Sequence, residues 1–225
     1  EIEFAIELNK PQGVQKMFYV LQIRPIVNID ETIELDLDCL SDDKLLIRAE
    51  HTLGNGIIKD VHDFVFVKPQ SFDPAKTREI ATLVGQLNDK FLHENKNYVL
   101  VGPGRWGSSD PWLGIPVKWP QISAARVIIE SGLENYRIDP SQGTHFFQNL
   151  TSFGVGYFTI NPFIKDGFYD LSYLENCVAA YEDDFIKHIR FEKPITIAID
   201  GKQNKGVILK DGESIVQEKI SGAEN

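Results

Sequence analysis

The sequence predicts a mixed α+β fold of the α/β class, with a hairpin at the start, a mixed-sheet domain with about three helices, and a C-terminal β-meander. Three observations carry this reading. Period-two alternation opens the chain and strand-like runs return at its end. Three amphipathic stretches with helix-start signals alternate with short apolar runs. Turn residues separate these elements at short intervals, with no long linker, internal repeat or low-complexity segment.

Phe4, Ile6 and Leu8 alternate with Glu3, Ala5 and Glu7, as a half-buried strand requires. Lys10-Pro11-Gln12-Gly13 interrupts the run, and a second strand covers Met17 to Arg24 until Pro25, which has no N–H to donate. Strands follow at 32–37 and 45–49, separated by Ser41-Asp42-Asp43, and after the Leu53-Gly54-Asn55-Gly56 turn another covers 61–67. Asp73-Pro74 is an N-cap with proline at the first helical position; Ile80, Leu83, Val84, Leu87 and Phe91 then mark one helix face, ending near Asn95. A strand at 97–101 feeds the stretch GPGRWGSSDPWLG, residues 102–114, and 122–129 is extended again. Asp139-Pro140 repeats the cap signal before a helix carrying Phe146, Phe147 and Leu150, and 155–160 is a strand. Asp170 caps a third helix with Leu171, Leu174, Cys177, Val178 and Tyr181 along one side. Strands at 195–199 and 207–210 lead into an Asp211-Gly212 hairpin whose second arm is 214–217.

The 225 residues could form one large domain or two small ones. With 33 acids against 23 bases the formal charge is −10, which excludes an extended nucleic-acid or anionic-membrane footprint and leaves room for a local anion pocket. Two distant cysteines, Cys39 and Cys177, give neither a disulfide framework nor metal-ligand spacing, so a reducing cytoplasm is expected. No apolar run reaches membrane-spanning length. The first residue is glutamate, which reads as a processed or cut-down piece.

The opening segments EIEFAIEL and KMFYVLQIRPIV resemble the end of the ATP-grasp nucleotide-binding domain of phosphoenolpyruvate synthase and pyruvate phosphate dikinase. In that family an acidic [D/E]-I-E-[W/F]-A strand is followed by a hairpin and then by Y-[I/V]-L-Q-x-R-P. The resemblance covers about residues 1–27 and implies that Glu3 and Gln22 are magnesium-side ligands and Arg24 a phosphate-contacting, catalytic arginine. It divides the chain into a C-terminal ATP-grasp hairpin, 1–30, and a mixed α/β accessory domain, 31–225. The residue types suit those roles. A carboxylate and an amide oxygen match a hard Mg²⁺ ion, a guanidinium matches phosphate oxygens, and Gln22 and Arg24, two apart on a strand, share a face. By themselves Glu3 and Arg24 read first as a surface cross-strand pair. Farther on, the family's T-[S/C]-H-A phosphohistidine string is absent, and GPGRWGSSDPWLGIPVKW and PSQGTHFFQNL resemble a C-terminal extension of some synthase-like proteins.

Three readings compete for 102–114. Gly102 and Gly104 allow close backbone approach, and Arg105, Ser108 and Ser109 add donors, so the loop could hold an anion in a backbone nest, with His145 near a helix start beside it. The chain's three tryptophans, Trp106, Trp112 and Trp119, could instead roof a core edge, or anchor an interface with an upstream domain. Packing or an interface takes precedence, because Gly/Pro-rich corners mostly serve structure. His145 reads first as a helix-start histidine between aromatic neighbours. Asp60, His62 and Asp63 could mimic a metal cluster, but the polar face of strand 61–67 explains them more simply.

The expected function is thus that of a C-terminal fragment of a synthase- or dikinase-like phosphotransferase. It would contribute Mg-ATP-side residues in the intact parent, partner an upstream ATP-grasp domain, bind no cofactor tightly alone and be inactive alone. The alternative is a non-catalytic module that binds a small phosphate or carboxylate, or that regulates, docks or forms a homodimer.

Overall fold

The structure, a computed structural model, describes residues 2–6, 13, 17–23, 37–134, 141 and 144–215. Arg24, residues 32–36 of the expected strand, the Asp139-Pro140 cap and residues 216–217 of the last hairpin arm lie outside them. The chain divides into two compact units, Glu1–Glu31 and Thr32–Asn225.

The first unit is a two-stranded antiparallel ribbon, β1 (Ile2–Ile6) on β2 (Phe18–Ile23). Its register pairs Glu3 with Gln22, Phe4 with Val20 and Ile6 with Phe18, with a bulge between Glu3 and Phe4. Phe4 and Phe18 stack at 5.0 Å. The half-buried alternation expected here is not seen: Phe4, Ile6, Phe18 and Val20 are exposed, and so are Ala5, Tyr19 and Leu21 between them.

The second unit begins with short 3₁₀ turns at Leu37–Cys39 and Asp42–Lys44. Its first strands are β3 (Leu45–Ala49), β4 (His51–Leu53) and β5 (Gly56–Val67). Helix α1 (Thr77–His93) leads to β6 (Tyr98–Pro103), then to the short β7 (Arg105–Trp106) and β8 (Gly114–Ile115). Strand β9 (Ala125–Ser131), α2 (Thr144–Phe153) and β10 (Gly156–Ile160) follow. The remainder is β11 (Phe168–Tyr169), α3 (Leu171–Asn176), β12 (Tyr181–Glu182), β13 (Ile186–Asp200) and β14 (Lys205–Leu209).

Among the described residues one large mixed sheet runs in the order β11-β3-β14-β13-β5-β6-β9-β10-β4, with β12 added on β13. The four neighbours β5, β6, β9 and β10 are parallel, and the other pairings are antiparallel. Only Glu50 separates β3, which pairs with β14, from β4, which pairs with β10. One nearly continuous segment therefore sits at both ends of the ladder, and the sheet curls back on itself.

Strand parity sorts the core into an inner and an outer layer. Phe64, Phe66, Val99, Val101, Ile129 and Phe158 fill the inner side. Val65, Val67, Leu100, Ile128 and Tyr157 face outward, where α1 and α2 cover them. The expected stripe on α1 holds: Ile80, Val84, Leu87 and Phe91 are buried and Leu83 packs beside them. Asp73 accepts from Ala75 N at 2.8 Å in the 3₁₀ turn that leads into α1, and Asp170 accepts from Tyr173 N at 3.0 Å to cap α3. Behind that cap, Leu174 inserts into the inner layer.

Several expectations need correction. The third helix ends at Asn176 rather than continuing through Tyr181. Val178 is 89% exposed, while Ala180 N bonds the His188 carbonyl and Tyr181 pairs with His188, so the β13 ladder claims this segment. The strand expected at 195–199 is part of a fifteen-residue strand. Pro194 lies where the register shifts between Arg190 and Ile195, and an irregularity of this kind tolerates its missing N–H. After Asp211-Gly212 the described residues 213–215 carry no strand. Residue 37 begins a 3₁₀ turn instead of ending a strand. Cys39 and Cys177 form no disulfide with each other. No described helix is long and apolar enough to cross a membrane.

Gly206 tests the inner layer, because a Cβ there would lie 2.6 Å from Phe158 Cζ, in a ring that is fully buried. Gly206→Ala should therefore destabilise the protein by about 1–3 kcal/mol in urea unfolding followed by circular dichroism.

Candidate functional site

The corner at 102–114 starts where β6 leaves the sheet. At Gly102 a Cβ would meet Trp106 Cζ2 at 2.3 Å, so glycine lets the indole lie back against its own strand. Trp106 is 2% exposed and its Nε1 donates to the Ile129 carbonyl at 3.0 Å. Across the corner β7 pairs with β8, and a Cβ on Gly114 would lie 2.0 Å from the Arg105 carbonyl oxygen. This close approach explains why the stretch needs glycine at both ends.

The backbone donors of residues 104–107 are engaged within the protein. Gly104 N donates to Ser131 O, Arg105 N to Leu113 O and Gly107 N to Ile115 O, while Trp106 N donates to Glu130 Oε1. No concave row of N–H groups from 104 to 107 is left for an anion. Ser108 Oγ bonds the Asp110 carbonyl, and Asp110 in turn accepts from Trp112 N. Ser109 is exposed and Arg105 half-buried. His145 stands in the first turn of α2. The three tryptophans separate: Trp106 is buried, Trp119 stacks on Phe153 at 5.4 Å, and Trp112 is exposed.

Glu130, at the end of β9, is a residue that sequence reasoning missed. It is 4% exposed. Its Oε1 accepts from Trp106 N and Ser141 Oγ, and its Oε2 from Ser141 N and from Tyr157 Oη at 2.7 Å. Two donors on each oxygen exhaust the carboxylate's acceptor capacity. Burial pushes its pKa up, against the downward pull of those donors, and burial with the Glu130 charge pushes the Tyr157 hydroxyl up as well. The group is a clasp joining the corner to Ser141 and β10. The only sequence signal was an acid directly after the apolar run Val127-Ile128-Ile129.

A second polar cluster lies where β5 and β13 meet the loop after α1. Register sets Asp63 directly opposite Arg190 and places His188 two residues away on the same strand. Asp63 Oδ1 accepts from Arg190 Nε and from His188 Nε2, each at 2.7 Å. Arg190 also donates to Glu94 Oε2 at 3.0 Å, and Lys96 donates to the same oxygen at 2.8 Å. Burial opposes the charge on Asp63. The bonds from His188 and Arg190 outweigh it and hold the carboxyl below its ordinary range. His188 is fully buried, edge-on to Phe91, and its Nδ1 has no partner among the described residues. A cleft of about 320 Å³ opens beside the cluster, lined by Asp60, His62, Asp63, Asn95, Lys96 and Arg190 among others. Asp60, His62 and Asp63 do share this cleft, yet among the described residues no three metal-ligating side chains converge on one point.

In the ribbon, Glu3 and Gln22 are register partners, and Arg24 lies outside the described residues. No family model, curated protein or solved structure matches the chain.

Two measurements test these clusters. Glu130→Gln replaces acceptor capacity with an NH₂ facing buried donors and should destabilise by about 2–4 kcal/mol in urea unfolding, whereas Tyr157→Phe, which removes a single bond, should cost about 1 kcal/mol. Asp63 has a folded pKa below its ordinary value of 3.8, so its contribution is complete above that value and is lost as pH falls through the depressed one. The urea midpoint should drop between about pH 4 and pH 2, and Asp63→Asn should flatten that drop.

Proposed function

We propose that this chain is the C-terminal portion of a phosphoenolpyruvate synthase- or pyruvate phosphate dikinase-like phosphotransferase, acting in the cytoplasm. In this reading the ribbon closes the Mg-ATP side of an upstream ATP-grasp domain, and Thr32–Asn225 is an accessory domain. The observation that carries the proposal is the register of the ribbon, which sets the carboxylate residue Glu3 against the amide residue Gln22. Facing residues of an antiparallel pair are the closest neighbours two strands offer, so the two hard oxygen donors the family pattern calls for belong to one cross-strand pair. The exposed apolar residues Phe4, Ile6, Phe18 and Val20 add support, since a two-stranded ribbon gains stability by joining a larger sheet.

Magnesium bound by Glu3 and Gln22 would neutralise phosphate charge and orient the nucleotide. Arg24 would donate paired hydrogen bonds to phosphate oxygens, and its cationic group would favour charge developing during transfer. The alternative module reading is better served in its docking form than in its anion-binding form, because the 104–107 N–H groups already have acceptors.

In the natural full-length protein, Glu3→Gln, Gln22→Ala and Arg24→Ala should each lower ATP-dependent phosphoryl transfer roughly 10²- to 10³-fold. Phosphorus NMR of nucleotide turnover is the measurement, and the 225-residue chain alone should leave ATP intact. Turnover by this chain alone, or wild-type rates in the three variants, would overturn the proposal.

A further inference from the structure

The cleft beside Asp63 is built to accept hydrogen bonds. Its two cations are already matched: Arg190 lies between Asp63 Oδ1 and Glu94, and Lys96 holds the same Glu94 oxygen. Beside these pairs stand acceptors with capacity to spare. Both bonds to the nearly buried Asp63 end on Oδ1, so Oδ2 accepts none from the described residues and belongs to a residue lining the cleft. His62 Nδ1 lies 3.1 Å from the Phe191 carbonyl, which can only accept, so the neutral ring carries its proton there and keeps its lone pair on Nε2. No described residue bonds that Nε2. Asp60, on the rim of the same cleft, is exposed and makes no ion pair with a described residue.

Two carboxylates and an imidazole therefore line one small space, and each keeps an acceptor that no described residue fills. A single metal ion suits them poorly, because no three ligands converge. A larger cation with several N–H groups can reach separated acceptors, and about 320 Å³ is the low end of small-molecule sites. The chain's charge of −10 favours approach of such a ligand. We propose that this cleft binds a small organic cation bearing N–H donors, an alkylammonium or guanidinium compound, through Asp60, His62 and Asp63 Oδ2. The site belongs to the second unit and does not depend on the phosphotransferase reading.

Agmatine, with a guanidinium at one end and an ammonium at the other, is the probe. Titrated calorimetrically into the 225-residue chain at fixed ionic strength, it should bind saturably at one site, while tetramethylammonium, which has charge but no N–H, should not. Asp60→Asn and His62→Gln alter cleft-lining side chains that the core does not need, and each should weaken agmatine at least tenfold with an unchanged circular dichroism spectrum. The proposal fails if agmatine shows no saturable binding, if tetramethylammonium binds equally well, or if neither substitution weakens it. It also fails if a divalent ion occupies the cleft and excludes agmatine.

Discussion

The second unit depends on the way a single segment, Leu45 to Leu53, serves two distant neighbours. Its first part is laddered to β14 and its second to β10, with Glu50 at the bend. Curling gives the sheet an enclosed side, and Phe64, Phe66 and Phe158 fill it. It also leaves a single outward face along the parallel strands, where both α1 and α2 lie. Right-handed crossovers between sequential parallel neighbours put the helices on one side, so the topology and the two-layer core have one cause.

That geometry explains where the polar clusters sit. Both lie on the outward side, at opposite ends of the parallel strands. Glu130 occupies the carboxyl end of β9, under the corner that follows β6, and its acceptors are filled. Asp63 lies toward the amino end of its pairing with β6, opposite Tyr98, and keeps one oxygen unbonded. Two buried acids of similar exposure thus play different parts. One has donors on both oxygens, which suits a fastening, and the other has donors on one, which suits a recess with capacity to spare.

What could be read from the sequence was mostly local. Asp73 and Asp170 announced helix starts because a capping carboxylate answers N–H groups within three residues. The α1 stripe was legible because helical period alone decides which face is apolar. The end of α3 was not, since Cys177, Val178 and Tyr181 keep helical spacing while the backbone of Ala180 and Tyr181 is claimed by a strand that follows them. Pro194 hid the length of β13, because a proline reads as a break unless the bulge that accommodates it is seen. Of the second cluster, residue types alone brought forward Asp60, His62 and Asp63. His188 and Arg190 reach Asp63 across 125 and 127 residues of chain, and no spacing rule spans that separation.

The curled sheet has a consequence for behaviour in concentrated solution. Unpaired strand edges invite other chains, and among the described residues the large sheet ends in short ones: β11 and β12 are two residues long and β4, at the far end, three. The ribbon is the reverse case: among the described residues neither strand has a second neighbour, and Phe4 and Phe18 are exposed. Self-association of the 225-residue chain should therefore begin at the first unit.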